Sequence, residues 1–392
     1  MNRMNWTIQK WKDVLSIVNG KNQKEVVSDD GAYPIIGSGG EIGRATNFLC
    51  EAGSTVVGRK GTINNPFFVE ERFWNVDTAF GIQPGEKLNP KFLFYFCKCF
   101  NFKNLDKSTT IPSLAKTDLL NIDMPVPSLK EQRRIVNKIE ELFSELDSAV
   151  ETLKKTKEQL AVYRQSVLKE AFEGNFTEIW RKRNKIQKDW KARPIQEFIK
   201  KEKNSLKAGP FGSALKKEFY VPSGYKVYGQ EQVIAGDESI GNYYINQAKY
   251  EDLISCKIAP NDVLISLVGT VGKVLVLSPK CEAGIINPRL IKISLDPSKM
   301  LPYFFKYYFE SGYLKSLYKQ KVHGETMDVL NMGMIKELPF PSCSVDEQRE
   351  TLKEIEQRLS LCDSIEKTVN DALIQADAMR QSILKKAFEG GL

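Results

Sequence analysis

The sequence of 392 residues holds a single histidine, His323. Protein metal centres usually draw on two or three imidazoles, and nucleophilic triads need a histidine oriented by a carboxylate. His323, beside Gly324 in a polar stretch, reads as a surface loop residue. The seven cysteines are scattered and no C-x-x-C occurs, which argues against a zinc ribbon or a disulfide framework and leaves buried free thiols. Apolar runs are short as well. None approaches the roughly 18 residues a membrane-spanning helix needs, and the polar start, with Trp6 and Trp11, has no apolar signal core. A cytoplasmic protein without a membrane partner is expected.

Nucleotide-binding glycine motifs are lacking too. The run from Gly37 to Gly43 does not have the G-x-G-x-x-G spacing, and Gly269-Thr270-Val271-Gly272-Lys273 lacks the Walker spacing. Asn64-Asn65-Pro66-Phe67 resembles the N-P-P-[FY] loop of adenine methyltransferases but lacks its second proline, and reads as a turn. No catalytic residue, metal ligand or cofactor site is assigned.

What is present is charge and repetition. Hydrophobic residues make up 42% of the chain and charged residues 27%, with net charge +8 and mean hydropathy −0.34. The length fits two or three domains. Residues 175–343 carry 26 Lys/Arg against 17 Asp/Glu, whereas 128–174 balance at nine of each. A basic excess gathered in one segment suits a polyanion, usually nucleic acid.

The stretch Glu131–Gly174 repeats at Glu347–Gly390 with a constant offset of 216, no gap and 19 identities in 44 positions. Both copies close on RQS-x-LK-x-AFEG, a match that chance does not produce. Each copy predicts a long amphipathic helix. Ser128 with Glu131, and Ser344 with Glu347, form S-x-x-E capping boxes. Pro125 and Pro127, then Pro339 and Pro341, block extension backward. Apolar residues recur at heptad spacing: Ile135, Ile139, Leu142, Leu146, Ala149, Leu153, Leu160, Tyr163 and Val167 in the first, and Leu352, Ile355, Leu359, Cys362, Val369, Leu373, Ala376 and Ile383 in the second. Gly174 and Gly390 end the helices. Two such seams are expected to pair with each other, antiparallel.

Each helix follows a globular region. Both regions have a tryptophan-led entry (Trp6 and Trp11; Trp190), a β-branched run (Ser54–Thr62; Asp262–Thr270) and a Pro-aromatic helix (Asn89–Phe96; Leu301–Phe309). A Thr/Leu stretch (Thr110 and Leu114; Thr326 and Leu330) then leads to the cap. Elsewhere they differ. The expected fold is α+β: two mixed α/β domains at 1–127 and 175–343, the latter including a linker, alternating with two long helices at 128–174 and 344–392.

The glycine-rich loops suit DNA, because glycines let backbone N–H groups approach phosphates while nearby donors reach base edges. The candidates are Ser38, Arg44, Arg59, Lys60, Thr62, Asn64 and Asn65 in the first domain. In the second they are Lys207, Ser213, Lys216, Lys217, Gln230, Gln232, Thr270, Lys273 and Arg289.

The paired P-x-P-S/PS…EQ-R helices ending in RQS-x-LK-x-AFEG, with the loops Pro34–Gly40, Gly58–Thr62 and Lys207–Ser213, resemble the DNA-specificity subunit of type I restriction-modification systems. The resemblance covers the whole chain. It implies two target recognition domains, each reading one half of a bipartite, asymmetric site in double-stranded DNA. The helix pair becomes a spacer that fixes the gap. The subunit itself is non-catalytic and has no cofactor. It docks two modification (methyltransferase) subunits that bring S-adenosylmethionine, and the assembly can add restriction subunits using ATP and Mg. The second helix ends at Gly390-Gly391-Leu392, without the further tail some relatives carry. A fused methyltransferase or nuclease would need cofactor or metal motifs, which are not found. A coiled-coil scaffold without a DNA role is opposed by the basic middle segment.

Overall fold

The structure, a computed structural model, describes residues 6–268, 270–321 and 330–392. His323 and Thr326, and Gly269 of the second glycine motif, lie outside them. The chain divides into two compact units, Met1–Lys155 with Val369–Leu392, and Thr156–Thr368.

In the first unit, β-branched and aromatic runs cut by glycine and asparagine give short strands. These are β1 (Thr7–Lys10), β2 (Leu15–Asn19), β3 (Tyr33–Gly37), β4 (Gly40–Ala45), β5 (Ser54–Gly58), β6 (Phe67–Val69), β7 (Trp74–Asn75), β8 (Ala79–Pro84) and β9 (Asp123–Val126). A four-stranded sheet runs β2-β8-β5-β6 and a three-stranded one β4-β3-β7, while β1 pairs with β9. Among the described residues of this unit only the β3–β7 pairing is parallel, with Ile35 opposite Trp74. The helix Pro90–Cys99 covers the core with Phe92, Leu93, Phe96 and Cys97. It starts there because Asn89 accepts from the Phe92 N–H (3.0 Å) and Pro90 fixes the first turn.

The second unit repeats this plan. Its strands are β10 (Lys191–Pro194), β11 (Leu206–Ala208), β12 (Tyr220–Val221), β13 (Tyr225–Tyr228), β14 (Tyr244–Ile245), β15 (Val263–Ser266), β16 (Val274–Val276), β17 (Gly284–Ile286), β18 (Leu290–Ile293) and β19 (Pro339–Ser342). The order β11-β18-β15-β16 matches β2-β8-β5-β6, and β10–β19 matches β1–β9. The second sheet, β12-β14-β13-β17, again has one parallel pair, β13–β17. The likeness extends to single contacts. A Cβ at Gly20, after β2, would lie 1.8 Å from the Val76 carbonyl oxygen, and one at Gly209, after β11, 1.8 Å from that of Asn287. Both positions admit only glycine.

The long helices span Leu129–Phe172 and Val345–Phe388. Gly174 (φ 74°) and Gly390 (φ 78°) take the left-handed conformation just past their ends. In the first unit the start of the first helix runs antiparallel to the end of the second. Arg134 donates to the Leu392 carbonyl (2.7 Å), Arg380 pairs with Asp147, and Ile135 and Ile139 share a core with Leu384 and Ala387. In the second unit Arg164 bridges Asp363 (2.7 Å) and Glu366 (2.9 Å), and Leu168 and Ala171 pack on Ile355. Ala149 and Tyr163, assigned to the seam by their spacing, are instead exposed, Tyr163 to 47%.

The capping boxes form by half. Ser128 and Ser344 accept from the N–H groups of Glu131 (3.3 Å) and Glu347 (3.2 Å). Glu131, however, takes two bonds from Arg134 (2.9 and 2.7 Å). Glu347 is buried, bound by Arg181 (2.5 Å) and Thr177 (2.8 Å). A guanidinium is the stronger donor and draws each carboxylate away from the cap.

The repeated motif residues also find their purpose. Gln132, fully buried, accepts from the Asn89 N–H (2.7 Å) and donates to the carbonyls of Lys87 and Pro127 (2.9 Å each). Gln348 does the same with the Leu301 N–H (2.8 Å) and the carbonyls of Lys299 (2.7 Å) and Cys343 (3.1 Å). Each glutamine ties the start of a long helix to the start of a domain helix. The AFEG phenylalanines close the opposite side: Phe388 packs on Phe92 and Phe96 (5.1 and 5.5 Å), and Phe172 on Phe304 and Tyr308 (5.2 and 5.0 Å).

Candidate nucleic-acid interface

In the first unit the segment after β5 is held from two sides. The Arg59 N–H (2.8 Å) and Lys60 N–H (3.2 Å) donate to the Thr78 carbonyl, the Gly61 N–H to Pro112 (2.9 Å), and the Leu114 N–H to Arg59 (2.9 Å). A Cβ at Gly58 would lie 2.1 Å from the Thr62 carbonyl and 3.2 Å from the Ser38 Cβ. The β3–β4 hairpin tip therefore touches this segment, and Ser38, Arg59, Lys60 and Thr62 come together. Arg59 lies 5.7 Å from the Phe80 ring centroid and donates to the Asp77 carbonyl (3.5 Å), which steadies its guanidinium. Lys60 and Thr62 are exposed.

Other candidates here are partly committed to structure. Asn64 accepts from the Phe102 N–H (2.7 Å), and Asn65 from Lys98 (3.3 Å), whose ammonium burial holds below its ordinary pKa. Arg44 donates to the carbonyls of Gly31 (3.0 Å) and Ala32 (2.8 Å). It closes a turn of its own unit while its side chain stays 36% exposed.

In the second unit Gln230 sits at the centre. Its amide donates to the Ser266 hydroxyl (2.9 Å) and the Val268 carbonyl, and it accepts from Arg289 (3.4 Å). The Leu267 N–H donates to the Arg289 carbonyl (3.0 Å), and the Arg289 N–H to the Asn287 side chain (2.9 Å). Ser266 and Lys273 close the loop that carries Thr270, through Ser266 N–H to Lys273 carbonyl (3.0 Å). Gln230, Thr270, Lys273 and Arg289 thus share one loop cluster, all but Gln230 exposed. Ser213, Lys216 and Lys217 are exposed on the chain beyond Gly209, and Lys207 is half-buried in β11, opposite Lys292. Gln232 is a correction: it is fully buried, accepts from the Gly229 N–H (2.8 Å) and donates to Ile240 (2.9 Å). Its amide is consumed in holding the turn. Sequence reasoning also passed over Phe211, 90% exposed among the basic residues of this segment.

These clusters offer cationic and amide donors, the equipment for phosphate oxygens and base edges. Among the described residues no three His, Cys, Asp or Glu gather as metal ligands. Burial pushes the Cys50 thiol up to about 12 and raises that of Cys97, which makes both inert as nucleophiles. No described helix is long and apolar enough to cross a membrane.

Two units of one plan, each presenting glycine-bounded loops with Lys, Arg, Thr or Gln donors and clasped by long helices, fit a protein that reads DNA. The comparisons with known proteins say which. The profile of the type I restriction modification DNA specificity domain matches residues 4–161 and 187–375, and the chain belongs to this family. It is a DNA-recognition subunit, not itself the catalyst, and acts with DNA and other restriction-modification subunits. Among relatives, the EcoDI specificity subunit of Escherichia coli is 23% identical, with 99% of this chain and 89% of that one covered. The EcoBI specificity subunit of Escherichia coli is 24% identical over 86% of this chain and 73% of its own. The fold is similar to a chain solved in work on complex assembly and conformational transition of the type I R-M system (TM-score 0.75, 16% identity, 99% and 98% covered). It is also similar to the HsdS subunit of Thermoanaerobacter tengcongensis (TM-score 0.57, 18% identity, 99% and 98% covered).

Proposed function

We propose that each unit reads one half of a bipartite, asymmetric DNA site, the first through Ser38, Arg59, Lys60 and Thr62 and the second through Gln230, Thr270, Lys273 and Arg289. Lys207, Ser213, Lys216 and Lys217 add backbone contacts, with Asn64 and Asn65 supporting the first loop. The long helices set the gap between the halves and dock two modification subunits. The methyl donor S-adenosylmethionine, and ATP and Mg where restriction subunits join, belong to those partners. The observation that carries this reading is the pairing of one sheet plan with two different sets of loop donors. The same frame holding different hydrogen-bonding groups gives two specificities.

The test is binding by the complex reconstituted with its modification subunits. Affinity for a duplex bearing the host's methylated site should exceed that for random duplex by about 10³-fold or more. It should also fall steeply with salt, since each phosphate neutralised releases counterions. Equal affinity for the two duplexes would overturn the reading.

A further inference from the structure

Phe211 is not absorbed by the account above. Its side chain is 90% exposed, the most open large apolar group among the described residues. The backbone on either side of it is tied down by hydrogen bonds and burial. The Gly209 N–H donates to the Leu290 carbonyl (2.9 Å), Pro210 is buried, the Ala214 N–H donates to the Phe211 carbonyl (2.8 Å), and Leu215 is 6% exposed. The close approach of Gly209 to Asn287 seats this segment against the turn that carries Arg289. A phenyl ring is thus held out in water by a backbone anchored on both sides.

We propose that Phe211 is a specificity-determining residue of the second unit, its ring entering the groove of the duplex and packing against base edges. This rests on the DNA-reading role proposed above and deepens it. The surroundings select the partner. Lys216, Lys217, Lys273 and Arg289 are exposed on the same or adjoining loops. Lysine is depleted from the cores of protein–protein interfaces, whereas cations around an apolar ring match a polyanion whose bases lie between phosphates. Apolar side chains read the thymine methyl or wedge between base steps, contacts that release no counterions. The corresponding segment of the first unit continues Gly20-Lys21-Asn22-Gln23, without an aromatic residue. The contribution therefore belongs to one half-site only.

The experiment uses the reconstituted complex and two duplexes: the host's methylated site, and the same site with the second unit's half scrambled. Phe211→Ala should weaken binding to the intact site by about 10- to 100-fold, the scale of one aromatic ring returned to water. Binding to the scrambled duplex and the slope of affinity against salt should not change, and Phe211→Trp should keep most of the affinity. Lys217→Ala, by contrast, should weaken binding to both duplexes alike and lower the salt slope by about one. Because Phe211 is 90% exposed, Phe211→Ala should leave the thermal midpoint nearly unchanged. Wild-type affinity of Phe211→Ala for the intact site, or an equal loss on both duplexes, would overturn the proposal while leaving the DNA-reading role standing. Failure of the wild-type complex to distinguish the duplexes would overturn both.

Discussion

Gln132 and Gln348 show how much a single side chain can fix. Each is fully buried and satisfies one N–H and two carbonyls at the junction of a domain helix and a long helix. Removing the amide deprives three backbone groups, most of them half-buried, of their partner, each costing on the order of 1 kcal/mol and up to about 3 where water cannot replace the bond. Gln132→Ala and Gln348→Ala should each destabilise the unit that holds them by about 3 kcal/mol or more, to a similar extent, as read from urea unfolding of the full chain. A loss below about 1 kcal/mol would show that water or a backbone shift replaces the amide. Sequence comparison displayed these glutamines as part of EQ-R, yet nothing in the spacing told that they reach into the domains. The same limit applied to the candidate site. Lys60, Thr62, Thr270, Lys273 and Arg289 are exposed, as polar residues in glycine-bounded loops tend to be, and their contact with DNA stays a proposal. Gln232 was misjudged because its partners, the Ile240 carbonyl and the Gly229 N–H, are backbone groups that composition does not reveal.

At the scale of elements, the helices were legible almost to the residue. Heptad spacing, a capping serine and a closing glycine are all local signals, and they agree. Tyr163 departs from the seam because a ring with a hydroxyl tip is comfortable at the surface, so spacing alone did not decide its side. The sheets were legible only as runs. That β2-β8-β5-β6 and β11-β18-β15-β16 share one order depends on non-local pairing, for which the sequence keeps just a few tokens such as Gly20 and Gly209. The proposed spacer role gives a test at this scale. A heptad inserted in both long helices, after Leu153 and after Val369, keeps the apolar seam in phase and adds about 10 Å at 1.5 Å per residue. Both half-sites should keep their sequence while the gap between them widens by up to about three base pairs, at about 3.4 Å per step. Mapping of methylated sites would show it. An insertion in only one helix should break the seam and cost assembly. A folded, active double insertion with an unchanged gap would show that the helices do not set it.

At the scale of the molecule, the economy of the chain is that the unlike parts are the loops and the like parts are the frame. Each unit is clasped by one glutamine from the start of a long helix and one phenylalanine from the end of the other, Gln132 with Phe388 and Gln348 with Phe172. On the proposed reading, exchanging a domain with its own sheets, helix and clasp leaves unchanged what the other domain reads. The most direct measurement of the central claim is therefore a map of methylated DNA after residues 190–340 are replaced by the equivalent domain of a relative, with the modification subunits present. The account expects the half-site read by the second unit to change and the other to remain as it was. A change in both halves, or in neither, would contradict it.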